Sequence, residues 1–399
     1  MLTNLSPQMR QYMLVTGNYW AFTLTDGALR MLVVLHFNQL GYSPLEIAML
    51  FLFYEFFGVV TNLVGGWLGA RIGLNRTMNI GLALQVVALM MLVLPSSMLT
   101  VPWVMAAQAL SGIAKDLNKM SAKSSIKLLI KGEGALYKWV AALTGSKNAL
   151  KGVGFFLGGL LLVTLGFQGA MWAMALVLAL IWVFSLIMLK KDLGKAKAKP
   201  KFSQIFSKSP AINILSAARM FLFGARDVWF VVALPVYLAA TLDWSSWQVG
   251  GFMATWVIAY GLVQGIAPKL TGKITARSAL LWASILALIP AAIGLVLTPA
   301  TLIAGLLVFG GVFAINSSLH SFLIVHYADE DGVSLDVGFY YMANAMGRLI
   351  GTLLSGWIFQ AYGLAACLFV STAFLVLTAF ISVFLPDHTF INRSSQSEN

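Results

Sequence analysis

The sequence predicts an all-α integral membrane protein of twelve transmembrane helices, arranged as two six-helix bundles. Three observations carry that expectation. Hydrophobic residues make up 59% of the 399 and charged residues only 10%, with a mean hydropathy of +0.85; soluble domains carry about a quarter charged residues. Apolar segments of the roughly 20 residues needed to cross a bilayer recur about a dozen times. A basic interruption near the middle divides them into six and six.

In order, the spans fall near 11–36, 44–69, 77–98, 101–126, 139–166 and 168–189. The second half holds spans near 211–240, 246–267, 278–298, 301–326, 337–361 and 363–386. Residues 1–10 are short and polar and lead straight into a long apolar run, unlike a cleaved signal peptide. Lys and Arg collect in every second connection: Arg71 and Arg76, Lys127 to Lys138, Lys190 to Lys208, then Lys269, Lys273 and Arg277. The alternate loops, 38–43, 95–102, 167–169, 241–246 and 297–301, contain neither. The positive-inside rule then places both termini in the cytoplasm. The connection 328–336 dissents with Asp329, Glu330, Asp331 and Asp336, but acids weigh little in that rule.

Residues 190–210 form the one linker, a solvated cytoplasmic segment with seven lysines that can touch anionic headgroups. The expected domains are therefore an N-terminal bundle 1–189, the linker 190–210, a C-terminal bundle 211–390 and a cytoplasmic tail 391–399. Loop lysines account for the pI near 9.8, so no nucleic-acid partner is implied. The single Cys367 excludes a disulfide framework and any site built from several thiolates. No cofactor or metal motif is present, and the expected surroundings are a lipid bilayer.

The halves repeat. Adding 197 to Gly154, Gly159 and Gly166 gives Gly351, Gly356 and Gly363, and the same shift carries Lys151 to Arg348 and Lys147 to Asn344. Spans one and seven do not follow so clearly, since matching Leu40-Gly-Tyr-Ser to Leu242-Asp-Trp-Ser needs 202. The pairing of Asp26, Arg30, Arg226 and Asp227 stays open.

Charges inside the spans are the functional signal, because an intramembrane charge faces a bundle interior or a wet cavity. Lys115 and Lys119 on span four, and Lys147 and Lys151 on span five, are pairs four apart that share a helix face. Lys151 and Arg348 lie ~18 Å and ~16 Å from the starts of their spans by helix rise, near mid-membrane. Lys123 approaches the interface and is expected to snorkel to headgroups. Asp26 and Arg30 are one turn apart and suit an internal ion pair. Arg226 should escape Asp227, since adjacent helical residues point about 100° apart. Glu55 has no cation one turn away; it is either paired across helices or protonated, and a carboxyl able to hold a proton is what proton coupling needs. Glu55, then Asp26 and Asp227, are the coupling candidates. On span ten, Asn316 and His320 are expected to make hydrogen-bonded packing contacts.

Arg30, Lys115, Lys119, Lys147, Lys151, Arg219, Arg226 and Arg348 against Asp26, Glu55, Asp116 and Asp227 leave an excess of four cations. Such an interior calls for a substrate with several negative charges, and the Arg fork with the Lys point charge suits phosphate-like oxyanions and carboxylates. The substrate-binding candidates are Arg30, Lys115, Lys119, Lys147, Lys151, Arg226, Asn344 and Arg348. A hydrophobic-drug exporter would not carry this interior.

The stretch Gly66-Trp-Leu-Gly-Ala-Arg71-Ile-Gly73-Leu-Asn-Arg76 resembles the cytoplasmic loop signature of the major facilitator superfamily at Gly66, Arg71, Gly73 and Arg76. It departs at Ala70, where that pattern has an aspartate, which puts the usual gate-locking ion pair in doubt. A parallel repeat of two six-helix bundles is that superfamily's plan, and it implies a site near the midplane between halves. The glycine run 152–159 is similar to a degenerate span-five antiporter motif, and close helix packing explains it equally well.

More specifically, the runs YWAFTLTDGALRMLVVLHF, LGYSPLEIAMLFLFYE, GVVTNLVGGWLGAR, QALSGIAKDLNKMSAKSSIK and LTGSKNALKGVGFFLGG resemble the organoarsenical efflux permeases of bacterial arsenic-resistance operons, the ArsJ family. The resemblance spans nearly the whole chain and is densest in spans one to five. It implies a bacterial inner-membrane exporter of 1-arseno-3-phosphoglycerate. It also implies a functional partner, the glyceraldehyde-3-phosphate dehydrogenase that makes that compound from arsenate. Two other readings stay open. An organophosphate or sugar-phosphate antiporter would need the same basic cavity. An intramembrane lipid-modifying enzyme would need a catalytic constellation, which His36, His320, His326 and His388 do not supply.

Overall fold

The computed structural model describes residues 7–42, 50–130, 132–189, 193–195, 206, 209–231, 233–244, 246–271, 274–329 and 333–386. Most of the linker 190–210, and all of the tail 391–399, lie outside the described residues. Among the described residues the chain is helical and contains no strand.

Span one is Pro7–Gln39, span two Leu52–Ile72, span three Leu74–Met91 and span four Val101–Leu129. Spans five and six share one kinked element, Glu133–Met188. Span seven runs over Pro210–Phe230 and continues as Ala233–Ala240. Spans eight, nine and ten are Ser246–Thr271, Ala276–Leu295 and Pro299–Tyr327, and Val333–Ser382 carries spans eleven and twelve. This is the twelve-helix, two-bundle architecture that the composition and repeat predict.

Local chemistry sets the helix ends. Proline occupies the first turn of spans four, seven and ten, where its missing N–H costs nothing. Thr275 and Thr298 close capping boxes with Ser278 and Thr301 at the starts of spans nine and ten. Gly166 and Gly363, the pair matched by the shift of 197, both hold positive φ (67° and 77°) at the turn between their two spans. Only glycine takes that conformation without strain, so the repeat in sequence is a repeat in backbone.

The solvent preference of the molecule is that of a bilayer protein. Large apolar side chains point outward, including Val163, Ile187, Leu180, Leu353 and Phe380. Polar side chains point in: Asn62, Gln85, Gln108, Asn118, Asp227 and Asn316 are fully buried. Helices satisfy their own backbone in lipid, so the outer face can be entirely apolar.

Glycine crossings tie the helices together. A Cβ on Gly27 of span one would lie 2.7 Å from the Lys151 carbonyl and 3.2 Å from Gly154 Cα. In the other bundle a Cβ on Gly351 would lie 2.8 Å from the Gly224 carbonyl and 3.2 Å from Gly224 Cα. Gly27 and Gly224 are also 197 apart. Spans one and seven therefore follow the same shift as spans five and eleven, and it equates Arg30 with Asp227. The alignment that the loop residues suggested, at 202, does not govern the helices.

Between bundles, span two packs on span eleven and span five on span eight. Gly66 lies against Ser334 and Gly338, and Ser334 Oγ donates to the Gly66 carbonyl at 2.7 Å. At the end of the molecule that carries the basic loops, Lys127 Nζ donates to the carbonyls of His326 (3.0 Å) and Ala328 (2.5 Å). Tyr137 and Thr271 hydroxyls meet there at 3.0 Å. That end is stitched shut by contacts from both halves.

Candidate functional site

The intramembrane charges separate into two layers. The layer near the middle is a chain of ion pairs crossing between the bundles. Glu55 Oε1 receives Nη2 of Arg30 at 3.0 Å and Nη2 of Arg348 at 2.7 Å. Arg348 Nε also reaches Asp227 Oδ2 at 3.3 Å, and Asp227 Oδ1 is held by Arg226 Nη2 at 2.5 Å. Three guanidinium groups thus share two carboxylates. Side chains of Arg30, Glu55 and Arg348 are 21%, 20% and 24% exposed, so the layer is reached by solvent.

Aromatic rings support it. Tyr54 OH donates to Asp26 Oδ1 at 2.6 Å, and the faces of its ring carry Arg30 at 4.0 Å and Lys115 at 3.7 Å. Arg226 lies against Phe223, Phe230 and Phe313. Cations over desolvated rings gain on the order of 2 kcal/mol, which helps to hold charge in this layer.

These contacts decide what the sequence left open and correct part of it. Glu55 is paired across helices. Asp26 and Arg30 do not form the expected internal pair: Asp26 accepts from Tyr54, and Arg30 turns to Glu55 on span two. Arg226 was expected to escape Asp227, yet Nε and Nη2 both bond its Oδ1. The long stem of arginine swings the fork back across the 100° between neighbouring residues.

On span four, Asp116 takes Lys119 at 2.5 Å and Lys115 at 3.8 Å. Gly58 of span two leaves room for it, since a Cβ there would sit 2.9 Å from Asp116 Oδ2. Lys151, by contrast, makes no ion pair among the described residues; the charged groups acting on it are Arg30, Asp26, Lys147 and Arg348.

The second layer lies closer to the basic-loop end. Lys147 Nζ donates to Asn148 Oδ1 at 3.1 Å, and Asn148 Nδ2 is bonded to Gln264 of span eight. Arg219 is 3% exposed and donates to Asn344 Oδ1 at 2.9 Å and to the Ser317 carbonyl at 3.3 Å. Its guanidinium also lies over the rings of Phe223 and Tyr340.

Lys123 belongs here, against expectation. It is 2% exposed, and its Nζ has no hydrogen-bond partner among the described residues. Span four continues for six residues beyond it, to Leu129, so Lys123 does not stand at the end of its helix. His320 also departs from expectation: it is fully buried, with neither ring nitrogen bonded among the described residues. Asn316 is the packing residue, donating to the Trp282 carbonyl at 2.9 Å. Helix depth alone misplaced Lys123, and only its neighbours reveal it.

The loop-motif residues lie away from both layers. Gly66 sits in the crossing with span eleven. Gly73 takes φ 99° where spans two and three separate. Arg71 is exposed and lies over Trp67 at 5.1 Å, Arg76 is exposed, and Ala70 is fully buried. No group of three or more His, Cys, Asp or Glu among the described residues could hold a metal ion.

Comparison with known proteins gives a family and a fold. The family model of the Major Facilitator Superfamily matches residues 15–226 and again 215–398. No curated protein matches in sequence. The human organic anion transporter TETRAN superposes with a TM-score of 0.75 at 17% identity, covering 95% of this chain and 100% of its own. A bacterial homologue of the iron transporter ferroportin, in its outward-facing state, gives 0.72 at 13% identity, over 93% of this chain and 98% of its own. The Escherichia coli fucose:proton symporter gives 0.73 at 11%, over 94% of this chain and all of its own. At such identities the likeness is one of fold.

Proposed function

The chain belongs to the Major Facilitator Superfamily, and from that premise we propose that this multi-pass secondary transporter exports an organic oxyanion. The substrate in this reading is 1-arseno-3-phosphoglycerate, and the outcome is resistance to arsenate. Its functional partner is the glyceraldehyde-3-phosphate dehydrogenase that makes the compound. The protein resides in a bacterial inner membrane with both termini in the cytoplasm. The reading treats it as a carrier, not an enzyme.

The single observation that carries the anionic substrate is the imbalance of buried charge. The central chain has three guanidinium groups on two carboxylates, and Lys151, Lys147, Lys123 and Arg219 add cations without a carboxylate within ion-pairing distance among the described residues. A phosphate at one end and an arsenate at the other would fit that excess, with planar arginine forks suited to either group. The arsenical itself comes from the likeness of the quoted runs to the organoarsenical permeases.

Transport then follows from alternating access, in which the two bundles rock about a site between them. Arg30, Lys115, Lys119, Lys147, Lys151, Arg226, Asn344 and Arg348 are the proposed substrate contacts. Glu55, Asp26 and Asp227 are the proposed coupling groups. An arriving anion competes with Glu55 and Asp227 for Arg348, and releasing those carboxylates lets them take protons. That links substrate entry to proton movement through shared partners.

The test compares two arsenic species. Cells with this protein and the dehydrogenase should resist arsenate and gain nothing against arsenite. Equal protection against arsenite sinks the oxyanion reading. Vesicles that move labelled glycerol 3-phosphate but no arsenical would point to the organophosphate antiporter instead.

A further inference from the structure

The central ion-pair chain and the layer beneath it differ in one respect: the first neutralises most of its own charge, and the second does not. Lys123, Lys147 and Arg219 come from spans four, five and seven, and thus from both bundles. None has a carboxylate within ion-pairing distance among the described residues. The charged groups acting on Lys123 are Lys147, Arg219 and Lys119, all cations. Lys119 is already committed to Asp116 at 2.5 Å.

Burying an ammonium without a counter-charge costs several kcal/mol. Lys123 is 2% exposed, and its Nζ meets no acceptor among the described residues. Arg219 uses Nε and Nη1 on Asn344 and Ser317, which leaves part of its five-donor fork uncommitted. His320, acted on by Arg219, is fully buried with both ring nitrogens unbonded. Lysine, arginine and histidine donors are thus held inside the molecule with no carboxylate within ion-pairing distance among the described residues. A neutral packing core would have no use for this set.

The geometry points to a closed oxyanion pocket formed by Lys123, Lys147 and Arg219, with His320 as a further donor, on the basic-loop side of the Glu55 chain. Its ligand is a doubly charged tetrahedral group such as phosphate or arsenate, free or at the end of an organic ester. For the class of ligand this rests on the proposed function. It adds Lys123, Arg219 and His320, which the central site does not include. It also gives the substrate a position before the Arg30–Glu55–Arg348 chain on the way out.

The test is thermal unfolding of the purified full-length protein in detergent, titrated with inorganic phosphate, arsenate and glycerol 3-phosphate. Binding to the folded state raises the melting temperature by linkage. Lys123→Met keeps an unbranched stem one atom shorter and removes the amino group. Its expected effect is a loss of phosphate or ester affinity of about ten- to a hundred-fold, the scale of one charge-assisted contact. Without ligand, Lys123→Met should melt at or above the wild-type temperature, because a buried amino group with no acceptor is gone. Lys269→Gln, exposed at the end of span eight, should change neither quantity.

Stabilisation by inorganic phosphate assigns the pocket to the free oxyanion. Stabilisation by glycerol 3-phosphate alone assigns it to the phosphoryl end of an ester. The pocket is overturned if Lys123→Met keeps wild-type affinity for the stabilising anion, or if no probe stabilises the wild type. If arsenate resistance fails but Lys123→Met still abolishes phosphate stabilisation, the pocket stands and the proposed export does not.

Discussion

Lys151 and Arg348 occupy equivalent positions in the two halves, yet the structure treats them differently. Arg348 is bonded to Glu55 and Asp227, whereas Lys151 has no ion pair among the described residues. A substrate gripped from both halves would take Lys151 directly and Arg348 by displacing a carboxylate. Lys151→Gln and Arg348→Gln are each expected to abolish arsenate protection, with affinity falling about ten- to a hundred-fold. Lys151→Arg should retain part of it. Removing Arg348 still leaves Arg30 on Glu55 and Arg226 on Asp227, so normal membrane levels are expected. Resistance assays paired with immunoblots check this; both glutamine variants protecting normally would dissolve the clamp. Glu55→Gln makes the complementary case. A neutral amide cannot balance two guanidinium groups or carry a proton, so uphill export should stop while substrate exchange across vesicles continues. Wild-type uphill export across pH would leave Glu55 a structural strut.

At the level of the helix, glycines decide how closely spans can cross. Gly154 and Gly159 lie on the same span and answer differently. A Cβ at Gly154 would stand 2.7 Å from the Leu24 carbonyl, and at Gly159 it would meet nothing within 4 Å. Gly154→Ala must therefore push span one away from span five, with a cost of the size seen for overpacked cores, about 1–3 kcal/mol. Gly159→Ala should be neutral or stabilise by up to about 1 kcal/mol, since alanine is the better helix former. Melting curves by fluorescence-detected size exclusion separate the two. Equal melting temperatures for both variants would show that the crossing is not tight. Gly351, in the other bundle, is expected to follow Gly154.

For the whole molecule, the claim open to test is orientation. Basic residues cluster at one end of the bundles, where Lys127 and Tyr137 fasten the halves together. If that end faces the cytoplasm, a cysteine at Ser97 should react with an impermeant maleimide in intact cells. A cysteine at Arg76 should react only after permeabilisation. Cys367 is buried within an apolar cluster and should stay silent, so it need not be removed. Labelling at Arg76→Cys in intact cells would reverse the topology.

The sequence by itself determined the class, the twelve spans, the two-fold repeat and the excess of intramembrane cations. These are one-dimensional properties: bilayer thickness fixes the length of an apolar run, and a residue inside such a run is costly whatever its neighbours. Gly166 and Gly363 were legible as matched glycines at one offset, but that both hold positive φ at a turn is shown by the structure. The partners of the charges were not legible. Asp26 and Arg30 sit one turn apart, yet each bonds elsewhere, because Tyr54 and Glu55 of span two are brought alongside. Lys123 reads as interfacial by counting residues, yet it is buried in the packed helices. The equivalence of spans one and seven was hidden by loops of unequal register and shown by the Gly27 and Gly224 crossings. Sequence spacing fixes height in the membrane; which side chains meet at that height depends on how six helices from each half are rotated and packed, and only the tertiary structure decides that.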